Sequence, residues 1–142
     1  YILITDKSNK INKIIMKKIN NILIKLFHCS NIILIIFYLY PGSIFGHILY
    51  NNPSIQPQIT KDFLISSNHF YLFVFITTIG VLAYHNTNKI NYLVNYLFLL
   101  SIILEFFHLF IPNRGFELRD LFGNITGVII VIIVYKIIKK YE

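Results

Sequence analysis

The second half of an otherwise apolar sequence contains a group of polar residues: Glu105, His108, Arg114, Asp120 and Asn124. Carboxylic acids and histidine donate and accept protons, so Glu105, His108 and Asp120 are candidates for acid/base catalysis. Arginine binds anions and an asparagine amide both donates and accepts hydrogen bonds, so Arg114 and Asn124 are candidate binding residues. An ionisable side chain inside a membrane span costs about 2.5–3.5 kcal/mol on insertion scales, so such residues usually serve a function.

The spacing of these residues places them on shared helix faces. Glu105 and His108 are three residues apart, and Asp120, Asn124 and Gly127 follow at intervals of four and three. Residues three or four apart lie on one face of a helix, and a glycine on that face lets another helix approach closely. We therefore predict a polar pocket between the two helices, with Gly127 in a structural role.

The predicted site also includes the loop that contains Pro112 and Arg114, and His69 from the preceding apolar segment. Pro112 interrupts the helical pattern after Glu105 and is predicted to be structural. Arg114 lies in the resulting short loop, where its guanidinium is predicted to pair with Glu105 or Asp120. His69, at the start of the preceding apolar segment, is predicted to lie on the same side of the membrane as a further binding residue.

Two interpretations of this cluster remain open. A functional site explains why polar groups gather at one depth, but an ion-pair network that only holds helices together also gathers charged residues. The histidines and the glutamate lack the spacing of a dedicated zinc motif, so no metal or cofactor is predicted. Catalysis stays open because no nucleophile is evident; the nearest hydroxyls are those of Ser66, Ser67 and Ser101.

Four long apolar segments must position these residues. A membrane-spanning helix needs about 20 mostly apolar residues, and the predicted spans are 22–40, 68–84, 90–111 and 118–138. Pro41 and Gly42 either end the first helix or kink it, in which case it continues to Tyr50. Gly42 and Gly46 have the GxxxG spacing, but at the end of a span this spacing is expected to matter little for packing.

The composition indicates that lipid is the solvent. The chain is 56% hydrophobic and 13% charged, whereas about 25% of residues are charged in typical soluble domains. Residues 128–134 are apolar all round, which argues against an amphipathic soluble bundle. The net charge is +7, but the lysines flank apolar segments instead of forming a basic polar domain, so nucleic-acid binding is not expected. The predicted fold class is an all-α membrane protein, a bundle of four transmembrane helices in a lipid bilayer.

The lysines predict the orientation, because positive charges near span ends favour the cytoplasmic side. With the N-terminus inside, the cytoplasmic ends carry Lys17, Lys18, Lys25, Lys89, Lys136, Lys139 and Lys140. Both termini are therefore predicted to be cytoplasmic and the polar cluster to lie near the outer face.

The predicted organisation has three parts. A basic N-terminal segment covers residues 1–21, the four-helix domain covers residues 22–138, and a basic tail covers residues 139–142. Met16 opens a stretch typical of a natural N-terminus, so residues 1–15 are expected to be non-native and without a core function.

Three stretches resemble the C-terminal half of the VanZ-like family: Glu105–His108, Ile111–Arg114 and Asp120–Gly127. The family's pattern reads Glu-x-x-Gln, then Pro-x-Arg, then Asp-x-x-x-Asn-x-x-Gly. His69 and the phenylalanine after it resemble the family's His-Phe at the start of an earlier span. The resemblance covers about residues 66–131.

The sequence also departs from the family's pattern. His108 stands in place of the glutamine, Ile65 and Ser66 replace an Asp-Lys pair, and Val131 replaces a second glycine. The family's namesake is linked to resistance to teicoplanin-type glycopeptide antibiotics, and most members have no established activity. The resemblance implies a multi-pass protein of the bacterial cytoplasmic membrane that acts on or near an anionic envelope lipid or a cell-wall precursor at the outer face. The alternative is a non-catalytic membrane subunit or scaffold.

Overall fold

Five α-helices form the chain in a computed structural model, which describes residues 2–141 and the side chains of residues 11–141. The helices are α1 (Ile2–Leu39), α2 (Ile44–Tyr50), α3 (Ser67–Tyr84), α4 (Ile90–Phe107) and α5 (Leu118–Tyr141). No β-strand occurs within residues 2–141. The predicted all-α fold class is confirmed.

Four of the helices are long and apolar enough to cross a membrane. The candidate spans are Ile11–Leu39, Ser67–Tyr84, Ile90–Phe107 and Leu118–Tyr141. Large apolar side chains remain exposed on each of them, including Ile33, Phe75, Ile103 and Ile133. Extended apolar surface of this kind marks contact with a membrane. The protein is therefore a multi-pass membrane protein built on a four-helix bundle.

The chain after α1 forms a sharp turn and a separate short helix, and does not continue as a kinked helix to Tyr50. Gly42 has a φ of 76°, a left-handed conformation that favours glycine. Ser43 caps α2, its Oγ accepting a hydrogen bond of 3.0 Å from the backbone N–H of Gly46. A Cβ on Gly46 would lie 2.7 Å from the carbonyl oxygen of Asn52. Gly42 and Gly46 therefore pack against the following loop and not against another helix.

Among the helix boundaries that differ from the prediction, the start of α1 and the end of α4 differ most. Helix α1 begins at Ile2 instead of residue 22, because hydropathy locates the apolar part of a helix and not its polar extension. Helix α4 ends at Phe107 instead of Ile111, because the chain turns immediately and Asn113 adopts a left-handed φ of 60°. Glu105 consequently lies in the last turn of α4.

Helix α3 forms the centre of the bundle and contacts α5, α1 and α4. The core between them includes Leu34, Phe73, Leu97 and Val128, none more than 2% exposed. In this up-and-down arrangement, the C-terminal ends of α1 and α4 lie beside the N-terminal ends of α3 and α5. That end of the bundle contains the predicted polar residues.

Two glycines of α5 allow its close contact with α3. A Cβ on Gly123 would lie 2.8 Å from the carbonyl oxygen of Ser66, and one on Gly127 would lie 2.7 Å from that of Phe70. Real Cβ atoms essentially never approach other heavy atoms so closely. The backbone contact between these helices therefore depends on the missing side chains, and it fixes the distance across which the polar residues meet.

Candidate functional site

The ends of three helices bring the predicted residues together in space. His69 lies in the first turn of α3, Glu105 in the last turn of α4, and Asp120 and Asn124 near the start of α5. His108 follows directly after α4. The sequence spacing linked these residues only in pairs, whereas the structure adds contacts between the pairs and with His69.

Glu105 lies at the centre of the cluster and is completely buried. Its Oε1 accepts a hydrogen bond of 3.1 Å from the backbone N–H of Glu117 and lies 3.3 Å from His108 Nδ1. Its Oε2 has no hydrogen-bond partner among the described residues and lies 3.8 Å from His69 Nδ1. One oxygen thus holds the carboxylate in place and the other is left without a partner.

A buried hydrogen-bond network fixes the orientation of His69. The amide nitrogen of Asn124 donates to the carbonyl oxygen of Ser101 at 3.2 Å, which turns Asn124 Oδ1 toward α1 and α3. The hydroxyl of Tyr38 donates to this Oδ1 at 2.6 Å. His69 Nδ1 lies 3.0 Å from the Tyr38 hydroxyl oxygen and 3.1 Å from Asn124 Oδ1. Since the Tyr38 proton is already directed at Asn124, Nδ1 of His69 is the donor and carries a proton.

Tyr38 is a member of the site that sequence reasoning missed. It is 4% exposed, and its ring also stacks on that of His108, with centroids 5.5 Å apart. The signal available in the sequence is weak: Tyr38 lies four residues after Leu34, on the buried face of α1. A tyrosine inside an apolar run is also a common residue at membrane interfaces, so the residue type alone does not distinguish the two roles.

The second ring nitrogen of His69 faces Asp120. The Nε2–Oδ2 distance is 3.2 Å, and the Asp120 side chain keeps 16% of its surface exposed. His69, Glu105 and Asp120 each offer one possible metal-ligand atom, and these atoms lie within 4.8 Å of one another. The site therefore has a buried side at Glu105 and an accessible side at Asp120.

Arg114 does not form the predicted ion pair. Among the described residues, its guanidinium lies within 4 Å of no carboxylate, and it donates instead to the carbonyl oxygen of Phe37 at 3.3 Å. The prediction of a pair with Glu105 or Asp120 is wrong, because Glu105 is already held by Glu117 and His108. Partial burial lowers the pKa of Arg114 from its ordinary value, but a guanidinium stays charged in proteins.

A cavity of about 460 Å³ opens beside the cluster. Most of its walls are apolar side chains from α1, α2 and α3, including Phe45 and Phe75, and Tyr38, His69 and Arg114 also line it. Ligand pockets commonly have this composition, with mainly apolar walls and a few polar groups that fix orientation. The cavity can therefore accept an apolar chain beside a charged group.

The remaining predicted residues lie around this centre. Pro112 is in the connection between α4 and α5, and Gly127 is one turn below Asn124. The hydroxyls of Ser67 and Ser101 donate to backbone carbonyl oxygens of Thr60 and Phe98, at 2.6 and 2.7 Å. Neither serine therefore has the adjacent base that an activated nucleophile needs.

Comparisons of the chain with protein-family models, with curated proteins and with solved structures gave no match. The chemistry open to the site follows from its geometry. Glu105, His108 and Asp120 are side chains that can donate and accept protons, and Arg114 offers a positive charge to an anion.

Proposed function

We propose that the protein is a VanZ-like protein of the bacterial cytoplasmic membrane that binds an anionic amphiphile, an envelope lipid or a lipid-linked cell-wall precursor, at the outer face. The observation that carries this proposal is the cavity beside the polar cluster, whose walls are apolar and whose lining includes Arg114 and His69. An amphiphile is the ligand class that needs both kinds of surface at once.

Arg114 is the residue that selects an anionic headgroup. Its side chain is partly buried, no carboxylate of the described residues neutralises it within 4 Å, and its Nε has no hydrogen-bond partner. A partly buried charge without an ion-pair partner is costly, and a phosphate or carboxylate headgroup would lower that cost by accepting two parallel hydrogen bonds. His69 and Tyr38 supply further polar contacts beside it.

The binding experiment compares Arg114→Gln with Arg119→Gln, whose arginine is 53% exposed and donates to the Phe63 carbonyl oxygen. In detergent, a fluorescent phosphatidylglycerol should bind the Arg114→Gln variant at least about tenfold more weakly than the wild type, because a hydrogen bond to a charged group contributes about 1.5–3 kcal/mol. Arg119→Gln should bind it as the wild type does. Membrane abundance of both variants should be unchanged.

A lipid without an anionic headgroup tests whether binding depends on the charge of the headgroup. A diacylglycerol analogue, whose headgroup has neither a phosphate nor a charge, should bind more weakly than phosphatidylglycerol to the wild type and equally to wild type and Arg114→Gln. Equal affinity of wild type and Arg114→Gln for phosphatidylglycerol would contradict the proposal.

Sidedness can be tested with single cysteines in a Cys29→Ser background. Gln58 lies in the exposed loop before α3, and Lys139 lies near the end of α5. The lysine distribution places the Gln58 end outside, so a membrane-impermeant thiol reagent should label Gln58→Cys on intact cells and Lys139→Cys only after lysis. The reverse pattern would overturn the orientation, and with it the action at the outer face.

One observation favours a second candidate function, a non-catalytic scaffold whose cluster only fixes helix packing. The network of Tyr38, His69 and Asn124 joins α1, α3 and α5 through buried hydrogen bonds. A scaffold of this kind has no headgroup for Arg114 to bind, so the wild type and Arg114→Gln would bind the phosphatidylglycerol probe equally. The proposed binding function predicts that binding is lost while abundance is kept.

A further inference from the structure

We propose that His69, Glu105 and Asp120 bind a divalent transition-metal cation, Zn²⁺ or Mn²⁺, at the polar end of the bundle. The three residues belong to α3, α4 and α5 and are far apart in sequence, but their ligand atoms lie within 4.8 Å of one another. One imidazole and two carboxylates form a donor set without a thiolate, which suits these cations better than a soft ion such as Cu⁺. This inference does not depend on what the neighbouring cavity binds.

The hydrogen-bond network prepares His69 as a ligand. Its Nδ1–H is directed at Tyr38 and Asn124, at 3.0 and 3.1 Å, so in the neutral ring the lone pair is on Nε2. This nitrogen faces Asp120 Oδ2 at 3.2 Å. Metal-binding histidines usually have this arrangement, with the second ring nitrogen donating to a neighbour that fixes the tautomer.

The close contact between His69 and Asp120 requires a positive charge, either a cation bound between the two side chains or a proton on one of them. A lone pair on Nε2 and an ionised carboxylate oxygen repel each other at 3.2 Å. A shared cation turns that repulsion into two coordinate bonds. Protonation of either group is the competing explanation, and it predicts a folded protein that binds no metal.

Glu105 supplies the independent observation. It is 0% exposed, and its Oε2 has no hydrogen-bond partner among the described residues. Its other oxygen is held by the Glu117 N–H and faces His108, so the side chain is positioned with one free oxygen. A buried carboxylate oxygen without a partner is costly, and a cation removes the cost.

No arginine or lysine is in direct contact with either of the two carboxylates. Within the part of the chain that the structure describes, no such side chain lies within 4 Å of Glu105 or Asp120, and their only close cationic neighbours are histidines. Two carboxylates, Glu105 buried and Asp120 mostly buried, thus face His69, and Glu105 also faces His108. A divalent cation balances both charges, and three protein ligands leave a coordination position open, as in catalytic zinc sites. The partial exposure of Asp120 gives the ion a path of entry.

The test uses the full chain, purified in detergent and stripped of metal with a chelator. Zn²⁺ and Mn²⁺ are titrated separately by calorimetry, and bound metal is counted by elemental analysis after desalting. The wild type should bind one equivalent of one of these cations. Asp120→Asn and His69→Asn should each bind it at least about 100-fold more weakly, because loss of a residue that merely supports a ligand already costs about 10–100-fold.

Two controls keep the result interpretable. His47→Asn replaces an exposed histidine of α2 and should bind as the wild type does, which separates the site from adventitious histidine binding. Arg114→Gln should keep full metal affinity even where it no longer binds the anionic amphiphile, so the two proposals fail separately. The metal should raise the melting temperature of the wild type and of His47→Asn, but not that of Asp120→Asn.

Two results would overturn the proposal. One is a folded wild-type protein that binds neither cation stoichiometrically, which would mean that protons balance the carboxylates. The other is metal binding that survives both Asp120→Asn and His69→Asn, which would place the ion elsewhere on the protein.

Discussion

Replacement of Gly127 by leucine should unfold the helical bundle. A Cβ at this position would lie 2.7 Å from the Phe70 carbonyl oxygen, 2.9 Å from the Phe73 Cβ and 3.0 Å from the Val74 nitrogen. Two of these three atoms belong to the backbone of α3, so no side-chain rotation relieves the clash. The helices would have to separate, which also pulls Asn124 on α5 away from His69 on α3.

The expected loss in the free energy of unfolding is more than about 3 kcal/mol, because adding even a methylene group to a packed core costs about 1–3 kcal/mol. Unfolding of the purified protein in mixed micelles with increasing sodium dodecyl sulfate measures this loss, and membrane abundance should fall with it. Gly127→Ala should give an intermediate loss.

Gly115 provides the matched control. It lies in the connection between α4 and α5, and a Cβ there would meet nothing within 4 Å. Gly115→Leu should therefore leave the unfolding curve unchanged within about 0.5 kcal/mol. If Gly127→Leu and Gly115→Leu had the same stability, the close contact between α3 and α5 would be wrong, and with it the distances across the polar cluster.

Local spacing predicted the parts of the site that lie on single helices. Glu105 with His108, and Asp120 with Asn124, are separated by one helical turn, and this alone fixes their common faces. The four spans could also be predicted from the sequence, because a helix needs about 20 apolar residues to cross the membrane. The free energy of burying apolar side chains in lipid thus decides which segments cross the membrane, without detailed packing.

The contacts between helices could not be predicted in this way. Tyr38 joins the site only because α1 ends beside α3, and the sequence does not encode that adjacency in any spacing. Arg114 was assigned to a carboxylate by charge alone, but the turn at Asn113 directs it to the Phe37 carbonyl oxygen. For the same reason, the three proposed metal ligands have no motif spacing: each comes from a different helix.

Replacement of Asn124 by valine should cost about 2–4 kcal/mol of unfolding free energy, since leaving a buried polar group unpaired costs about 1–3 kcal/mol. Asn124 is completely buried, and its amide receives hydrogen bonds from Tyr38 and His69 and donates one to the Ser101 carbonyl oxygen. Valine resembles it in size but can form none of these bonds. The hydroxyl of Tyr38 would then lose its acceptor, and the Nδ1–H of His69 would keep only the Tyr38 oxygen.

A control at the other end of the bundle separates this effect from the general cost of changing a buried asparagine. Asn31 is 6% exposed, but it accepts only one hydrogen bond, from the Tyr96 hydroxyl, and its Nδ2 has no partner among the described residues. Asn31→Val should therefore cost no more than about 1 kcal/mol, the typical net contribution of one hydrogen bond. It should also leave metal binding at the polar end unchanged.

A double-mutant cycle measures the strength of the hydrogen bond from the Tyr38 hydroxyl to Asn124, which fixes the orientation of the network. Tyr38→Phe alone should cost about 1 kcal/mol, and in the Asn124→Val background it should cost less, because the hydroxyl has already lost its acceptor. The coupling should reach about 0.6–1.7 kcal/mol, the range for hydrogen bonds between membrane helices. If the losses in unfolding free energy were additive, the Tyr38 hydroxyl would not donate a hydrogen bond to Asn124. His69 could then carry its proton on Nε2, which would leave that nitrogen no lone pair for a metal ion beside Asp120.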